Sequence, residues 1–309
     1  MRRLTVPWLI WTAVLAAFAA RAAEPIRVMI LDGESGGPYH DWPQVTQALE
    51  QILDEAGLFD VTVVTMPSSA GGLVRFAPDF SAYDSIVLNY EAPDERWSAA
   101  LKASFEQYVS DGGGLVAVHA ADNAFPEWSA YNEMLGIGGW GSRDERSGPY
   151  WYYSDGDLRG DDSPGPAGSH GRRVPFSVTL RDDTHPITKG LPSVWMHGDD
   201  ELYAELRGPG TNMTVLATAY SDPGNSGSGR HEPQLMVLSY GSGRIFHTTF
   251  GHDVRAISSL DFVVTLQRGT EWTATGQVTQ GVPSTFPTAK NPRYHSNLAA
   301  GNEARIDAN

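Results

Sequence analysis

The chain of 309 residues contains no cysteine. Catalysis by a thiolate and disulfide bonding are therefore both excluded, although an oxidising compartment would permit disulfides. A lipid anchor attached to a cysteine of the exported chain is excluded for the same reason. Neither serine nor threonine stands at the sharp turn after the apolar strand 115–118, where His119 is followed by two alanines. Covalent catalysis by a nucleophile at this turn is therefore not expected.

Positive charge is also scarce, with 22 lysines and arginines against 37 acidic residues and a net charge of −15. Such a surface repels nucleic acids and anionic lipids, so we expect neither as a partner. The glycine pairs and triplets lack the spacing of phosphate-binding loops. We expect a small molecule as the ligand, and the sequence leaves the oligomeric state open.

Long apolar runs are absent except at the N-terminus, where Arg2 and Arg3 precede the run 6–20. This run is interrupted by Pro7 and is shorter than the roughly 20 residues needed to span a bilayer. Small residues of a cleavage site follow it. The pattern predicts a secretion signal over residues 1–23, and hence a secreted or periplasmic protein that is not attached to a membrane after cleavage.

Apolar runs and helical patterns alternate after residue 24, which predicts an α/β fold. We expect a three-layer, doubly wound, mostly parallel sheet in a single domain over residues 24–270, followed by a polar tail over 271–309. The predicted strands are 26–31, 61–64, 85–88, 115–118, 174–180, 214–217, 234–238 and 244–248. The predicted helices are 41–57, 97–109 and 254–266.

The segment 136–173 has neither the apolar runs of strands nor a helical pattern, and it is rich in glycine, tyrosine and tryptophan. A stretch of this length without regular structure in a compact domain is typical of functional or disordered segments. Because its aromatic residues are too dense for ordinary disorder, we interpret it as an ordered insertion over a pocket.

Polar clusters follow four of the predicted strands. Ligands bind outside the carboxyl ends of the strands in open parallel sheets, so these clusters are expected to share one rim. The loop after the first strand contains Tyr39 and His40, and Asn89 to Glu91 follow the third strand. His119 and Asp122 follow the fourth strand, and His252 and Asp253 follow the last.

The chain resembles the ThuA-like, or trehalose-utilisation, family over roughly residues 26–268. The resemblance rests on four motifs in the same order, which are Gly113–Ala120, His185–Pro192, Asp200–Tyr203 and Gly243–Asp253. It implies the class I glutamine amidotransferase-like fold without the cysteine nucleophile of the glutamine amidotransferases, so the protein is not expected to be a glutaminase. It also implies a role in the use of trehalose and related disaccharides, including 3-keto sugars.

The favoured hypothesis is an enzyme acting on a carbohydrate, in which His119 or His252 exchanges a proton and Asp122 orients it. Histidines, carboxylates and aromatic rings suit a sugar, since they bond hydroxyls and stack on its C–H face. The residues expected to bind substrate are His40, Tyr90, Glu91, Trp140, His197, Asp200, His231 and Glu232.

Two alternatives stay open at this point. One is a sugar-binding or scaffold module without catalytic activity, which the missing nucleophile favours. The other is a hydrolase assisted by a divalent metal such as zinc, with His119, His197 and His252 as its ligands. The acidic stretch 195–201 favours this second alternative, because it places a histidine beside three carboxylates.

Overall fold

The computed structural model describes residues 24–298, and the predicted secretion signal lies outside them. Within this part of the chain, none of the helices combines the length and the apolar character needed to cross a bilayer. The strands are β1 (Ile26–Asp32), β2 (Phe59–Thr65), β3 (Ser85–Leu88), β4 (Gly114–Val118), β5 (Tyr150–Ser154), β6 (Asp157–Asp161), β7 (Ser169–His170), β8 (Val174–Leu180), β9 (Val194–Asp200), β10 (Tyr203–Ala204), β11 (Thr214–Tyr220), β12 (His231–Tyr240) and β13 (Gly243–Thr248).

Several α-helices accompany these strands in the described part of the chain. They are α1 (Trp42–Glu55), α2 (Ala70–Arg75), α3 (Ala99–Ser110), α4 (Ser129–Leu135), α5 (Val254–Ile257) and α6 (Leu260–Thr275). The Asp41 side chain caps α1, and Pro43 stands in its first turn, where the missing N–H costs nothing. The last helix was expected to end near Leu266, but it continues through Gly269, which packs against the Phe246 ring.

The main sheet has the order β2-β1-β3-β4-β13-β12-β11-β8-β9. The first five strands are parallel, as expected, whereas β12, β11, β8 and β9 alternate in direction. Helices cover both faces. Val28 and Ile30 of β1 pack with α1 and α6, while Met29 and Leu31 pack with α3 and α4. The predicted α/β fold with a sheet between helical layers is confirmed.

The insertion 136–173 is ordered, as predicted, but it contains a β-hairpin that its composition did not reveal. Strands β5 and β6 pair with each other, and Tyr153 of β5 pairs with His231 at the start of β12. The short strand β7 pairs with β10, which follows β9 in the chain. The insertion is thereby fixed to the same end of the sheet at which β4 and β13 end.

Candidate functional site

Four side chains converge where the strands of the sheet end. His40 precedes α1, His119 follows β4, Glu201 follows β9 and His252 follows β13. One ligand atom from each residue can be chosen so that all four lie within 4.8 Å of one another. We call this group the His/Glu cluster. The convergence follows from the topology, since the carboxyl ends of parallel strands share one edge.

His119 has an unusual backbone and a defined tautomer. Its φ is +46°, a left-handed conformation that costs a residue other than glycine free energy and is frequent at functional turns. The Nδ1 atom donates a hydrogen bond to the Thr249 carbonyl oxygen, 2.7 Å away, because a carbonyl can only accept. The lone pair of the neutral ring is therefore on Nε2, which is buried without a partner among the described residues.

Burial lowers the pKa of His119 to about 3, so the imidazole is neutral at any ordinary pH. Its ring packs on Tyr203 with centroids 4.1 Å apart. A neutral imidazole with one nitrogen held and the other free is the form that binds a metal or accepts a proton.

His40 and Glu91 form the neighbouring part of the site. The His40 ring contacts His119 and His252 with centroid distances of 5.2 and 5.0 Å. The Glu91 Oε2 atom lies 3.6 Å from His40 Nδ1, and neither atom has a hydrogen-bond partner in residues 24–298. Gly36 is required here, because its φ is +36° and a Cβ would collide with the Glu91 carboxylate.

His252 and Glu201 form a close pair, with Nδ1 and Oε2 3.1 Å apart and both side chains mostly buried. Burial alone would lower the pKa of His252, but the Glu201 carboxylate raises it. Burial likewise opposes ionisation of Glu201, and the imidazole of His252 lowers its pKa. Each group of the pair therefore favours the charged form of the other.

Behind this pair lies a second polar group, which we call the buried triad. His197 Nδ1 is 2.8 Å from an Asp261 oxygen and its Nε2 is 3.1 Å from an Asp200 oxygen, and all three side chains are fully buried. Burial opposes the charge, but Asp261 and Asp200 raise the pKa of His197 to about 9. Asp200 also accepts the backbone N–H groups of Gly251 and His252, which fixes the loop of the His/Glu cluster.

The insertion supplies aromatic and polar groups beside the His/Glu cluster. The Trp140 ring contacts Tyr203 with centroids 4.7 Å apart and lies 6.0 Å from His170. His170 Nε2 is 3.7 Å from Glu201 Oε2. Trp140 is only half-buried and has a φ of +48°. Its loop is held by the buried Arg143, which donates hydrogen bonds to three carbonyl oxygens.

The sequence placed His40, His119 and His252 on one rim, and the structure brings them together. It does not bring His197 to them, because both of its nitrogens are engaged in the buried triad. His197 is therefore not positioned as a metal ligand beside His119 and His252. Glu201, four residues later, occupies that place.

Asp122 does not orient His119. Its carboxylate lies 3.2 Å from His247 Nε2, fully buried, and burial raises its pKa. His247 in turn lies 3.0 Å from the Leu135 carbonyl oxygen through Nδ1. This pair joins β13 to the segment after β4. The Thr249 carbonyl performs the orienting role that was expected of Asp122.

The remaining residues expected at the site are divided between the rim and other places. Glu91 and Trp140 adjoin the His/Glu cluster, and Asp200 supports it. Tyr90 is buried among Trp97 and Phe125, so it belongs to the core.

His231 lies beside the β5 hairpin rather than in the His/Glu cluster. Glu232 is buried, accepts a hydrogen bond from Ser228, and has its pKa raised to about 7 by burial. Neither residue is part of the cluster.

The sequence indicated Glu201 only as one of the three acids of the stretch 195–201, and it did not indicate Tyr203 or Thr249. Glu201 and Tyr203 lie in the motif Asp200–Tyr203, and Thr249 lies in the motif Gly243–Asp253. The motifs therefore marked these positions without indicating what the residues do. The decisive information was the pairing of β9, which buries His197 and leaves Glu201 just beyond the strand end.

Comparison with known proteins identifies the family. The model of the family ThuA, described as "Trehalose utilisation", matches residues 27–273. The chain belongs to the ThuA family. A crystal structure of a ThuA-like protein from Parabacteroides merdae is 43% identical, with a TM-score of 0.85 over 89% of this chain and 99% of that one.

A ThuA-like protein from Bacteroides uniformis is 18% identical, with a TM-score of 0.54 over 85% of this chain and 98% of that one, and it shows the fold alone. No curated protein matches the chain. The expected membership of the ThuA family and the expected fold are both confirmed.

The donor set of the His/Glu cluster fits a divalent transition metal. Imidazole nitrogens and a carboxylate oxygen are the ligands typical of zinc sites that lack cysteine. The His119 ring is already neutral, and the Thr249 carbonyl orients it through Nδ1. The Glu91 carboxylate stands behind His40. Such outer partners usually accompany histidine ligands.

Proposed function

We propose that this ThuA-family chain is a metal-dependent enzyme acting on a carbohydrate, with His40, His119, His252 and Glu201 as the metal ligands. The observation that carries the proposal is the convergence of these four side chains within 4.8 Å in a mostly buried site. Among the described residues, buried nitrogens of His40 and His119 have no hydrogen-bond partner, which is costly for a folded protein unless something binds there.

The ion would polarise an oxygen of the substrate or lower the pKa of a bound water. Around it, the chain's own residues have separate tasks. The Thr249 carbonyl fixes the His119 ring, the Glu91 carboxylate stands 3.6 Å from His40 Nδ1, and Asp200 holds the loop of His252 through backbone N–H groups. The cluster is thus preorganised, which keeps ligand reorganisation small.

A carbohydrate is supported as the substrate by two observations. The family description is trehalose utilisation. The half-buried Trp140 ring, backed by Tyr203, stands beside Glu201 and His170, so a sugar ring could stack on it while its hydroxyls reach polar groups. We propose a disaccharide or its 3-keto derivative as the substrate.

Proton transfer without a metal is a second candidate, favoured by the His252–Glu201 pair. A histidine whose pKa a carboxylate raises can act as a general acid and base near neutral pH. In this mechanism His252 would move the proton α to the carbonyl of a keto sugar, and the neutral His119 would accept hydrogen bonds from the substrate.

One experiment separates the candidates. The purified protein is treated with a chelator, reloaded with Zn²⁺, Mn²⁺ or Co²⁺, and incubated with trehalose, other disaccharides and their 3-keto derivatives, with products followed by NMR. Activity that requires the metal and is lost in His119→Gln supports metal catalysis. Activity that survives chelation and is lost in His252→Gln supports proton transfer.

The matched control is His295→Gln. His295 also pairs with a glutamate, Glu55, at 2.7 Å, but at the end of α1 that is about 20 Å from His40. It should retain full activity. Saturable binding of a disaccharide without any product would instead support a non-catalytic sugar-binding module and would contradict both enzymatic proposals.

A further inference from the structure

An open cavity of about 420 Å³ lies beside the β5–β6 hairpin and shares no residue with the His/Glu cluster. Its volume is in the range of small-molecule sites. The lining combines arginine, histidine and tyrosine side chains, which are those of Tyr152, Tyr153, Arg181, Tyr220, Arg230 and His231.

Arg181 is the central residue of this cavity. Its Nε atom donates a hydrogen bond to Thr218 Oγ1 at 2.9 Å, and its guanidinium lies 4.2 Å from the centre of the Tyr153 ring. It has no ion-pair partner within residues 24–298, and burial lowers its pKa. A half-buried cation without a counter-charge is costly, which is notable in a chain where acids outnumber bases by 37 to 22.

His231 and Arg230 add to the positive character of the same cavity. His231 Nδ1 lies 3.4 Å from the Thr218 hydroxyl that Arg181 contacts, and burial and the charge of Arg181 lower its pKa. The Arg230 guanidinium stacks 4.4 Å from the centre of the Tyr152 ring and pairs with Asp161 at 2.6 Å. Of the acids nearby, Asp161 is thus already paired, and the buried Glu232 accepts a hydrogen bond from Ser228.

A third acid, Asp155, does not neutralise Arg181. Its side chain is 83% exposed and lies 3.9 Å from Arg159. Tyr220, the cross-strand neighbour of His231, presents an aromatic ring that is 48% exposed and 5.4 Å from the His231 ring. The cavity therefore offers a cation with unused N–H donors beside a flat apolar surface.

We infer that this cavity binds an anionic sugar, whose carboxylate, sulfate or phosphate group is bound by Arg181 and whose ring stacks on Tyr220. A guanidinium binds such groups through two parallel N–H donors, and an anion would supply the counter-charge that the protein does not. The inference rests on residues outside the His/Glu cluster, so it does not depend on the proposed function.

The test is a calorimetric titration of the purified protein with glucuronate, glucose 6-phosphate, inorganic sulfate and glucose. We expect saturable binding of the two anionic sugars, weaker binding of sulfate, and none of glucose at this site. Arg181→Gln should weaken glucuronate binding at least tenfold, whereas Arg159→Gln on the exposed side of the hairpin should leave it unchanged. Tyr220→Ala should reduce the affinity for glucuronate towards that for sulfate.

Two further measurements guard against an unfolded variant. Arg181→Lys keeps the charge and should retain intermediate affinity, and the NMR titration of His231 should show its pKa rising when glucuronate binds, because an anion favours the imidazolium. Absence of saturable binding by all three anions would overturn the proposal, as would equal glucuronate affinity in folded Arg181→Gln. Equal affinity for sulfate and glucuronate, unaffected by Tyr220→Ala, would overturn the role of the ring.

Discussion

The His/Glu cluster and the buried triad use the same residue types in opposite ways. In the triad, both nitrogens of His197 face carboxylates, and the ring is stacked on Phe250 with centroids 4.1 Å apart. In the cluster, His40 and His119 each keep a buried nitrogen without a hydrogen-bond partner among the described residues, and His252 faces a single carboxylate, that of Glu201, through Nδ1. A histidine with both nitrogens engaged stabilises the fold, whereas one with a free nitrogen is available for a ligand.

The two groups are also connected. Asp200 contacts His197 in the triad and accepts the N–H groups of Gly251 and His252, which belong to the loop of the cluster. The triad therefore acts as a support for the cluster, and changes in the two groups should have different signatures. Changes in the triad should affect unfolding, and changes in the cluster should affect ligand binding.

The largest expected effect is on stability, from His197→Gln. This substitution leaves Asp200 and Asp261 buried without a cation between them, so we expect a loss of about 3–5 kcal/mol in the free energy of unfolding. Urea unfolding at pH 7 measures it, with His295→Gln as the control. A loss below about 1 kcal/mol would mean that the triad contributes little to stability.

The second effect is the pH dependence of the contribution that His197 makes to stability. The folded-state pKa of His197, about 9, lies above the ordinary value of 6.5, so its stabilising effect is complete below pH 6.5 and is lost as the pH rises to 9. This pH-dependent contribution of His197 to the free energy of unfolding amounts to about 3 kcal/mol. Unfolding of the wild type and of His197→Gln from pH 6 to 9 should show the decline only in the wild type. Parallel curves would contradict the assignment.

The third effect is on metal affinity. His119→Gln removes a neutral donor held by the Thr249 carbonyl, and we expect Zn²⁺ affinity to fall at least about 100-fold, or ~2.7 kcal/mol. The free energy of unfolding without metal should change much less than in His197→Gln. Calorimetric titration with Zn²⁺ measures the affinity, and urea unfolding measures the stability without metal. A large loss of stability with unchanged affinity would place His119 among the structural histidines.

The smallest effect is expected from Glu91→Gln. Glu91 stands 3.6 Å behind His40 and would accept its Nδ1 proton when Nε2 binds a metal. Loss of such an outer partner typically costs 10–100-fold in metal affinity, and we expect the lower end because the Glu91 side chain is partly exposed. Zn²⁺ titration of Glu91→Gln beside His119→Gln gives the ranking. An effect equal to that of His119→Gln would make Glu91 a ligand.

Much of the rim could be predicted from the sequence because strand ends are local features. The apolar run 115–118 places His119 directly after a strand, and the motif ending in His252 and Asp253 places His252 in the loop that follows β13. The parallel topology then brings these residues together. The predicted bounds of β3 and β8 agree with the structure, since both lie between clear turn residues.

The pairing of distant segments could not be predicted in the same way. The choice between His197 and Glu201 depends on β9, whose acidic sequence did not indicate a strand and whose edge position comes from pairing with β8. The Asp122–His247 pair joins residues 125 positions apart, so nothing local to Asp122 indicated it. The β5–β6 hairpin was not predicted because its consecutive aromatic residues do not alternate with polar ones. In the structure, its tyrosines contact arginines from other segments.

The most direct test of the central claim is anomalous diffraction at the zinc absorption edge, from crystals of protein stripped with chelator and reloaded with Zn²⁺. We predict one strong peak bonded to His40, His119, His252 and Glu201, with His197 still between Asp200 and Asp261. No peak at these side chains, or a peak elsewhere with His197 as a ligand, would contradict the distinction between the His/Glu cluster and the buried triad.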